Sequence, residues 1–318
     1  MNVLVHGGAG GSPDEPESRQ AVLEDAARAG SAAESPVEGV ETAVRHLEAS
    51  PRFNAGVGSA VQSDGVIRTD AGIMTDDRGV GAVCSMPGVE HAVSVARVVM
   101  TETPHVFVSG EHAVSLADAY GVRTDADLWS DRTRERWNEL TPPSGNTRSH
   151  LEWIRDRFGR TDPGGREDGV GVGVDSDGDT DPGHERGSTS DLDHDTVGAV
   201  AFDGERLAAA TSTGGRWLAL AGRVGDVPQV GAGYYCCPAA AVSATGAGED
   251  IARVTLSRRA ARHVEAGFEA QPACDLAIKE FAEHTGSSAG VIAVDSDGTV
   301  GSAFNSDAMQ TAYAHENR

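Results

Sequence analysis

The stretch His194-Asp195-Thr196-Val197-Gly198-Ala199-Val200-Ala201-Phe202 puts a β-strand pattern directly after a long acidic run. Residues 160–195 are dominated by Gly, Asp, Pro and Ser. Such a composition cannot bury enough apolar surface to offset the entropy of ordering, so it reads as a flexible linker. At Thr196 the pattern reverses. A strand over 196–202, a turn at Asp203-Gly204 and a second strand over 207–211 predict a hairpin. A linker that stops at a strand beginning with threonine gives that threonine a reason to become a chain terminus.

Working outward, residues 3–5 read as a strand running into a glycine turn, His6-Gly7-Gly8-Ala9-Gly10-Gly11. Helices are expected over 17–29 and 37–48, the second from Val40, Ala43, Val44 and Leu47 at helical spacing. Short strands follow at 60–62, 66–70 and 81–86, then a helix over 93–100 and a strand at 106–108. Downstream of the first hairpin come a helix over 249–266 and a second hairpin, 290–295 and 299–304, turning at Ser296-Asp297-Gly298. The mixture is α+β.

The chain has 49 Asp+Glu against 26 Lys+Arg, a formal charge of -23, and Lys279 is its sole lysine. Such a surface repels phosphate backbones and anionic lipid, which argues against nucleic-acid and membrane partners. It suits a protein adapted to high salt, where ions screen the repulsion between carboxylates. Four cysteines at irregular spacing make neither a disulfide framework nor a metal site. The sequence begins without a charged region or an apolar run of the kind that directs export, so a cytoplasmic protein is expected.

Thr196 alone is an ordinary strand residue, since β-branching suits strands. Its chemistry follows from the cut. If the bond after Asp195 is broken, Thr196 gains a free α-amine of pKa about 7.7–8.0, able to take the proton of its own hydroxyl. The hydroxyl can make that cut itself by attacking the Asp195 carbonyl. Arg223 and Asp226, three apart around Gly225, suggest a cation-anion pair for a substrate α-carboxylate and α-ammonium.

Several motifs lie in one order: His194-Asp195-Thr196-Val197-Gly198, Thr211-Ser212-Thr213-Gly214-Gly215, Gly222-Arg223-Val224-Gly225-Asp226, Gly231-Ala232-Gly233-Tyr234 and Ser243-Ala244-Thr245-Gly246-Ala247-Gly248-Glu249. With Val5-His6-Gly7-Gly8-Ala9-Gly10 and Phe53-Asn54-Ala55-Gly56-Val57-Gly58 upstream, the chain resembles the plant-type L-asparaginase/isoaspartyl peptidase family of N-terminal-nucleophile hydrolases. The resemblance covers nearly everything but the acidic linker. It implies a single hydrolase domain over 1–318 with a four-layer αββα sandwich. It also implies autocleavage into an α-subunit, 1–195, and a β-subunit, 196–318, paired as a homodimer of cleaved protomers.

The expected activity is hydrolysis of L-asparagine and β-aspartyl dipeptides through a β-aspartyl ester on Thr196, with no catalytic cofactor. Thr213 is implied to hydrogen-bond the nucleophile, Thr245 and Gly246 to form the oxyanion hole, and Gly248 to hold the substrate amine. Asn54 is implied to lie near the nucleophile. The segment around it resembles the family's sodium loop, with backbone carbonyls of Leu47, Glu48, Ser50, Phe53, Ala55 and Val57 as ligands to a structural sodium ion.

The chain departs from the family pattern at Arg216-Trp217-Leu218-Ala219-Leu220-Ala221, at Tyr235-Cys236-Cys237-Pro238 and around Phe304–Met309. These departures leave the catalytic set intact and put the leaving-group side of the substrate, and the relative rates on asparagine and isoaspartyl peptides, in question. The glycine run at 7–11 lacks the Lys of a phosphate loop. Asp175 to Asp181 starts like a calcium loop but has Thr180 at its sixth position and Arg186 at its twelfth. His6, His46, His91 and His105 lack ligand spacing. Two alternatives stand beside the main reading: a glycosylasparaginase-type amidase of the same fold, and an uncleaved, catalytically silent acidic binding protein.

Overall fold

A computed structural model of the chain describes residues 1–158 and 196–316. The acidic run expected as a linker, the calcium-loop-like segment and Asp195 lie outside the described residues. The predicted hairpin forms the middle of a large sheet. Strand β5 (Val197–Phe202) pairs antiparallel with β6 (Leu207–Thr213), from Phe202 opposite Leu207 to Val197 opposite Ser212. The turn closes where Asp203 Oδ1 accepts the backbone N–H groups of Glu205 and Arg206, at 2.9 and 2.8 Å, with Gly204 at φ 104°. Every residue of both strands is buried, so both faces of this hairpin are covered. That explains why it reads as a continuous small-apolar run rather than an alternation.

Strand β1 (Asn2–Gly10) pairs antiparallel with the other side of β5 and, beyond it, with β11 (Ala308–His315). On the far side of β6 come β2 (Arg68–Thr75), β3 (Val80–Pro87) and the short parallel edge β4 (Phe107–Ser109). The order is β11-β1-β5-β6-β2-β3-β4. A second sheet has the order β10-β9-β8-β7, made of β7 (Tyr234–Cys237), β8 (Ala240–Gly246), β9 (Ala289–Asp295) and β10 (Val300–Phe304).

Side chains alternate between two apolar clusters along the hairpin, as the pleat requires. Ala199, Ala201, Ala208 and Ala210 join Val3, Leu23, Val44 and Leu47, on the side of helices α1 (Pro16–Ser31) and α2 (Pro36–Glu48). Val200, Phe202 and Ala209 join Tyr234, Ala241, Ile292 and Val294 of the second sheet. The opposite face of that sheet, Val242, Ala244 and Val291, packs with Leu256, Ala260 and Phe281. The sheets approach closely at Gly72, where a Cβ would come 1.9 Å from the Tyr234 ring.

The structure corrects several expectations. The glycines at 7 and 8 do not end the first strand: β1 runs through them with a bulge between His6 and Ala9. Gly7 is needed there for close approach, since its Cβ would lie 2.7 Å from Phe53. The expected helix over 249–266 is two helices, α7 (Gly248–Val254) and α8 (Leu256–Glu265), parted at Thr255, whose φ of 51° is left-handed. The run at 60–62 supplies only a bridge, Val61 to Ile67, and the strand expected at 66–70 starts at Arg68 and continues to Thr75. Helix α3 (Ala92–Glu102) and strand β4 lie where they were expected.

Four helices lie where the sequence predicts none: α4 (Gly110–Ala119), α5 (Asp131–Asn138), α6 (Thr147–Phe158) and α9 (Ala270–Thr285). The middle two are charged segments of weak apolar pattern, and α9 carries Pro272 in its first turn. All four cysteines are free and buried. Among the described residues no helix is long and apolar enough to cross a membrane.

Candidate active site

The hairpin register that pairs Val197 with Ser212 sets Thr196 beside Thr213 at its open end. Thr196 Oγ1 donates to Thr213 Oγ1 at 3.1 Å, and both residues are buried. Thr213 Oγ1 also accepts the Gly215 N–H at 3.1 Å, which fixes the turn that follows. Below them His6 is fully buried, with Nε2 2.8 Å from Ser243 Oγ. Burial pushes its pKa down to about 3 against a weaker backbone contact with Thr196, so the ring is neutral.

The two threonines open into a solvent-open pocket of about 310 Å³, lined also by Gly215, Arg216, Arg223, Asp226, Gly246, Gly248 and Glu249. The predicted Arg223–Asp226 pair needs correction in its partners. Arg223 Nε donates to Glu249 Oε1 at 2.8 Å, a direct ion pair with a residue that had been read only as a helix start. Burial opposes ionisation of Glu249, yet the hydrogen bond and charge of Arg223 hold its pKa down to about 2. Asp226 is buried and feels Arg223 only through space, and its Oδ2 has no hydrogen-bond partner among the described residues.

Burial pushes the Asp226 pKa up to about 7, with Arg223 opposing. Asp70 is a second buried carboxylate that sequence reasoning missed. It pairs with Thr213 across β2 and β6, accepts the Ser85 N–H at 2.7 Å, and is likewise raised by burial to about 7. One guanidinium therefore balances three acids. An anion beside a cation, each poorly hydrated, is an arrangement able to fix an amino acid by both of its charged ends.

Gly246 lines the pocket at the end of β8, at φ 134°, where a Cβ would meet Ser288 O at 2.6 Å. Thr245 is fully buried and its Oγ1 accepts the Ala9 N–H at 3.3 Å, tying β8 to the end of β1. Gly248 sits against the charged pair. A Cβ there would lie 2.6 Å from Asp226 Oδ1 and 3.0 Å from Arg223 Nη2, so no side chain fits. Asn54 does not line the pocket. Its Nδ2 donates to Gly215 O at 2.6 Å, its Oδ1 accepts the Ala60 N–H at 2.7 Å, and its carbonyl accepts the Gly214 N–H at 2.9 Å. It braces the turn that carries Thr213.

The loop after α2 folds back on its own carbonyls. Leu47 O accepts from Ser50 N at 3.1 Å, Glu48 O from Val57 N at 2.8 Å, and Ser50 O from Phe53 N at 3.5 Å. A Cβ at Gly58 would lie 2.7 Å from Pro51 O and 2.9 Å from Phe53 O, so these oxygens turn inward. Carbonyl oxygens are the hard donors a singly charged cation takes, but those of Leu47, Glu48 and Ser50 already accept backbone N–H groups. The Glu48 side chain is separate from this set: it is buried and accepts from Ser212 Oγ at 2.6 Å and Val93 N at 3.1 Å. Among the described residues no group of three or more His, Cys, Asp or Glu side chains could hold a metal ion.

A family model described as "Asparaginase" matches residues 1–318. The chain is 36% identical to the plant-type L-asparaginase of Pyrococcus furiosus, over 99% of this chain and 96% of that protein. It is 38% identical to the plant-type L-asparaginase of Pyrobaculum calidifontis, over 96% and 94%. With the isoaspartyl peptidase/L-asparaginase of Danio rerio it shares 35% identity, over 99% and 93%. The chain belongs to the asparaginase family.

Proposed function

We propose that the protein is an autoprocessing threonine hydrolase that cleaves the side-chain amide of L-asparagine and of β-aspartyl dipeptides. The observation that carries this is the buried Thr196–Thr213 hydroxyl pair, 3.1 Å apart, facing a pocket that holds Arg223 and Asp226. The relatives' names supply the substrate class. In the first step Thr196 Oγ attacks the Asp195 carbonyl carbon and the Thr196 nitrogen leaves. Water hydrolyses the resulting ester, freeing the Asp195 carboxylate and the Thr196 α-amine. Fragments 1–195 and 196–318 remain together.

In turnover the α-amine takes the hydroxyl proton while Oγ attacks the substrate's β-carbonyl carbon. The oxyanion meets the Thr245 hydroxyl and the Gly246 N–H, a contribution of about 2.7–4 kcal/mol for each such donor. The α-ammonium returns its proton to the leaving nitrogen, which departs as ammonia or an amino acid. Water then hydrolyses the β-aspartyl ester and releases aspartate. Arg223 receives the α-carboxylate. Asp226, with the Gly248 backbone, receives the α-ammonium.

The fold is read here as four αββα layers with β5 in the larger inner sheet; the three apolar clusters, on both faces of each sheet, support that reading. Backbone oxygens of Leu47, Glu48, Ser50, Phe53, Ala55 and Val57 would hold a sodium ion that stiffens the loop bracing Asn54. No catalytic cofactor enters this scheme. By resemblance to the family, the cleaved protomers pair as a homodimer. The test is direct: denaturing mass analysis should give two fragments, with ammonia released from asparagine and aspartate from β-aspartyl-leucine. An intact chain that releases neither would refute the reading.

Two further outcomes are expected. Asp226 must be ionised to hold the ammonium, and its pKa lies at about 7. As pH falls through that value the carboxylate gains a proton, so KM for asparagine should rise, approaching tenfold per unit at about pH 6 and below. Asp226→Asn should have a high KM that no longer changes with pH, measured by steady-state kinetics from pH 5.5 to 8.5. The acidic surface is proposed as an adaptation to salt. With a formal charge of -23, the thermal midpoint should climb by about 5 °C or more between 0.1 and 2 M KCl. Scanning calorimetry that showed a flat or falling midpoint would remove that explanation.

A further inference from the structure

Thr196 and Thr213 belong to the hairpin of the large sheet, whereas Thr245 and Gly246 end β8 of the second sheet. The distance from nucleophile to oxyanion donors is therefore set by how the two sheets are held together beneath the pocket. Two residues further along a strand, side chains face the same way one level down. At that level His6, Gly198, Thr211 and Gly72 form a row across β1, β5, β6 and β2, each opposite the next. Facing them in the second sheet, Tyr234 is opposite Ser243. The level after that is apolar, with Leu4, Val200, Ala209, Met74 and Ala241. A single polar layer thus separates the catalytic threonines from the apolar core between the sheets.

A missing side chain makes room for it. A Cβ at Gly198 would lie 2.0 Å from Ser243 Oγ and 2.5 Å from His6 Nε2. Ser243 of the second sheet enters that gap and bridges two strands of the first, with Oγ 2.8 Å from His6 Nε2 and 2.7 Å from Thr211 Oγ1. All three side chains are fully buried. Thr211 Oγ1 also donates to Gly233 O at 3.0 Å. A hydroxyl has one proton, so a single order makes all three bonds at once: His6 Nε2–H donates to Ser243, Ser243 to Thr211, and Thr211 to Gly233 O.

We infer that His6, Ser243 and Thr211 are positioning residues that pin the strand carrying the oxyanion donors to the hairpin carrying the nucleophile. This rests on the roles given above to Thr196, Thr245 and Gly246. Ser243 lies two residues before Thr245, and Thr211 two before Thr213, so the bonds act one step below the groups they align. They are shorter than the tie above them, Ala9 N to Thr245 Oγ1 at 3.3 Å. A displacement of about 1 Å between reacting groups can cost about 100-fold in rate, which is why the sheet separation matters here. Arg223 and Asp226 lie outside both sheets, in the connection between β6 and β7, so substrate binding should be spared.

The test separates alignment from both binding and bulk stability. Ser243→Ala removes the two bonds between sheets and leaves Thr211 bonded to Gly233 O. Its kcat on asparagine, counted per cut chain, should fall by about 10- to 100-fold, while KM changes by less than about threefold. Thr211→Val should give a smaller fall in kcat, and Thr211→Ser, which keeps the hydroxyl, should recover most of it. The double variant Ser243→Ala with Thr211→Val should lose less than the product of the single losses, because both break the same bond. Fragment masses and thermal midpoints establish that each variant is folded and cut; if Ser243→Ala stays uncut, the two Thr211 variants decide. A lowered midpoint with unchanged kcat, a loss confined to KM, or a Thr211→Ser chain as slow as Thr211→Val would overturn the assignment. A wild type that turned over no asparagine would instead refute the hydrolase reading itself.

Discussion

Thr196→Ala should leave a single full-length chain of 318 residues under denaturing conditions and lower turnover by about 10⁴-fold or more. Two losses coincide at one position. Without the hydroxyl there is no group to attack the Asp195 carbonyl, so the α-amine that serves as base is never released. Without the same hydroxyl there is no acceptor for the aspartyl group. The fold should be spared, because Thr196 precedes β5 and the strand's contacts begin at Val197. Thr196→Ser is the informative companion. It keeps the oxygen but not the methyl that limits its rotamers, so slow cleavage and reduced turnover are expected. Time-resolved mass analysis with an ammonia assay checks both; a Thr196→Ala chain that still divided before residue 196 would refute the mechanism.

The second large effect is at Arg223. Arg223→Ala removes the receptor for the substrate α-carboxylate and should lower kcat/KM by about 10²- to 10³-fold, mostly through KM. It also strips the cation from among Asp70, Asp226 and Glu249. An uncompensated buried acid costs up to about 3–5 kcal/mol, less here because Glu249 is one-third exposed and can rehydrate.

The sign with pH follows. Losing the guanidinium raises the pKa of all three acids in the folded state. The folded variant then binds more protons than the unfolded chain, so lowering pH from 8 to 6 should narrow its stability deficit. Thermal midpoints of Arg223→Ala and its parent, compared at pH 6 and 8 on the uncut Thr196→Ala background, measure this. A deficit that widened on acidification would show that the acids are not balanced by Arg223.

How much of this could be read in advance depends on sequence distance. The hairpin was legible because both strands, their turn and the change in composition before them are local. Thr213 beside Thr196 was implied by the family resemblance alone, because the strand expected over 207–211 stops short of it; the register that sets the two together is seen only in the structure. Asp70 was invisible because its pairing with Thr213 requires knowing that β2 lies next to β6. Glu249 looked like an ordinary acid at a helix start, and Arg223 looked paired with Asp226 three residues on. The choice of Glu249, 26 residues away, depends on how α7 meets the pocket. For Asn54 the resemblance implies a place near the nucleophile; the partners it has, the backbone of Ala60, Gly214 and Gly215, are ones no spacing discloses. Helix-period patterns also gave no hint of the left-handed break at Thr255.

The strand order of the large sheet has a last consequence. Counting from one edge, β11 comes from after residue 196, β1 from before it, β5 and β6 from after, and β2, β3 and β4 from before. The two halves are interleaved like the teeth of a zip. In a cut chain, therefore, unfolding ends in two separate polypeptides, and refolding is a second-order reaction. Its midpoint should shift with protein concentration, whereas that of the uncut chain should not. Maturation would thus exchange a fold that can re-form alone in dilute solution for one whose recovery requires two pieces to meet.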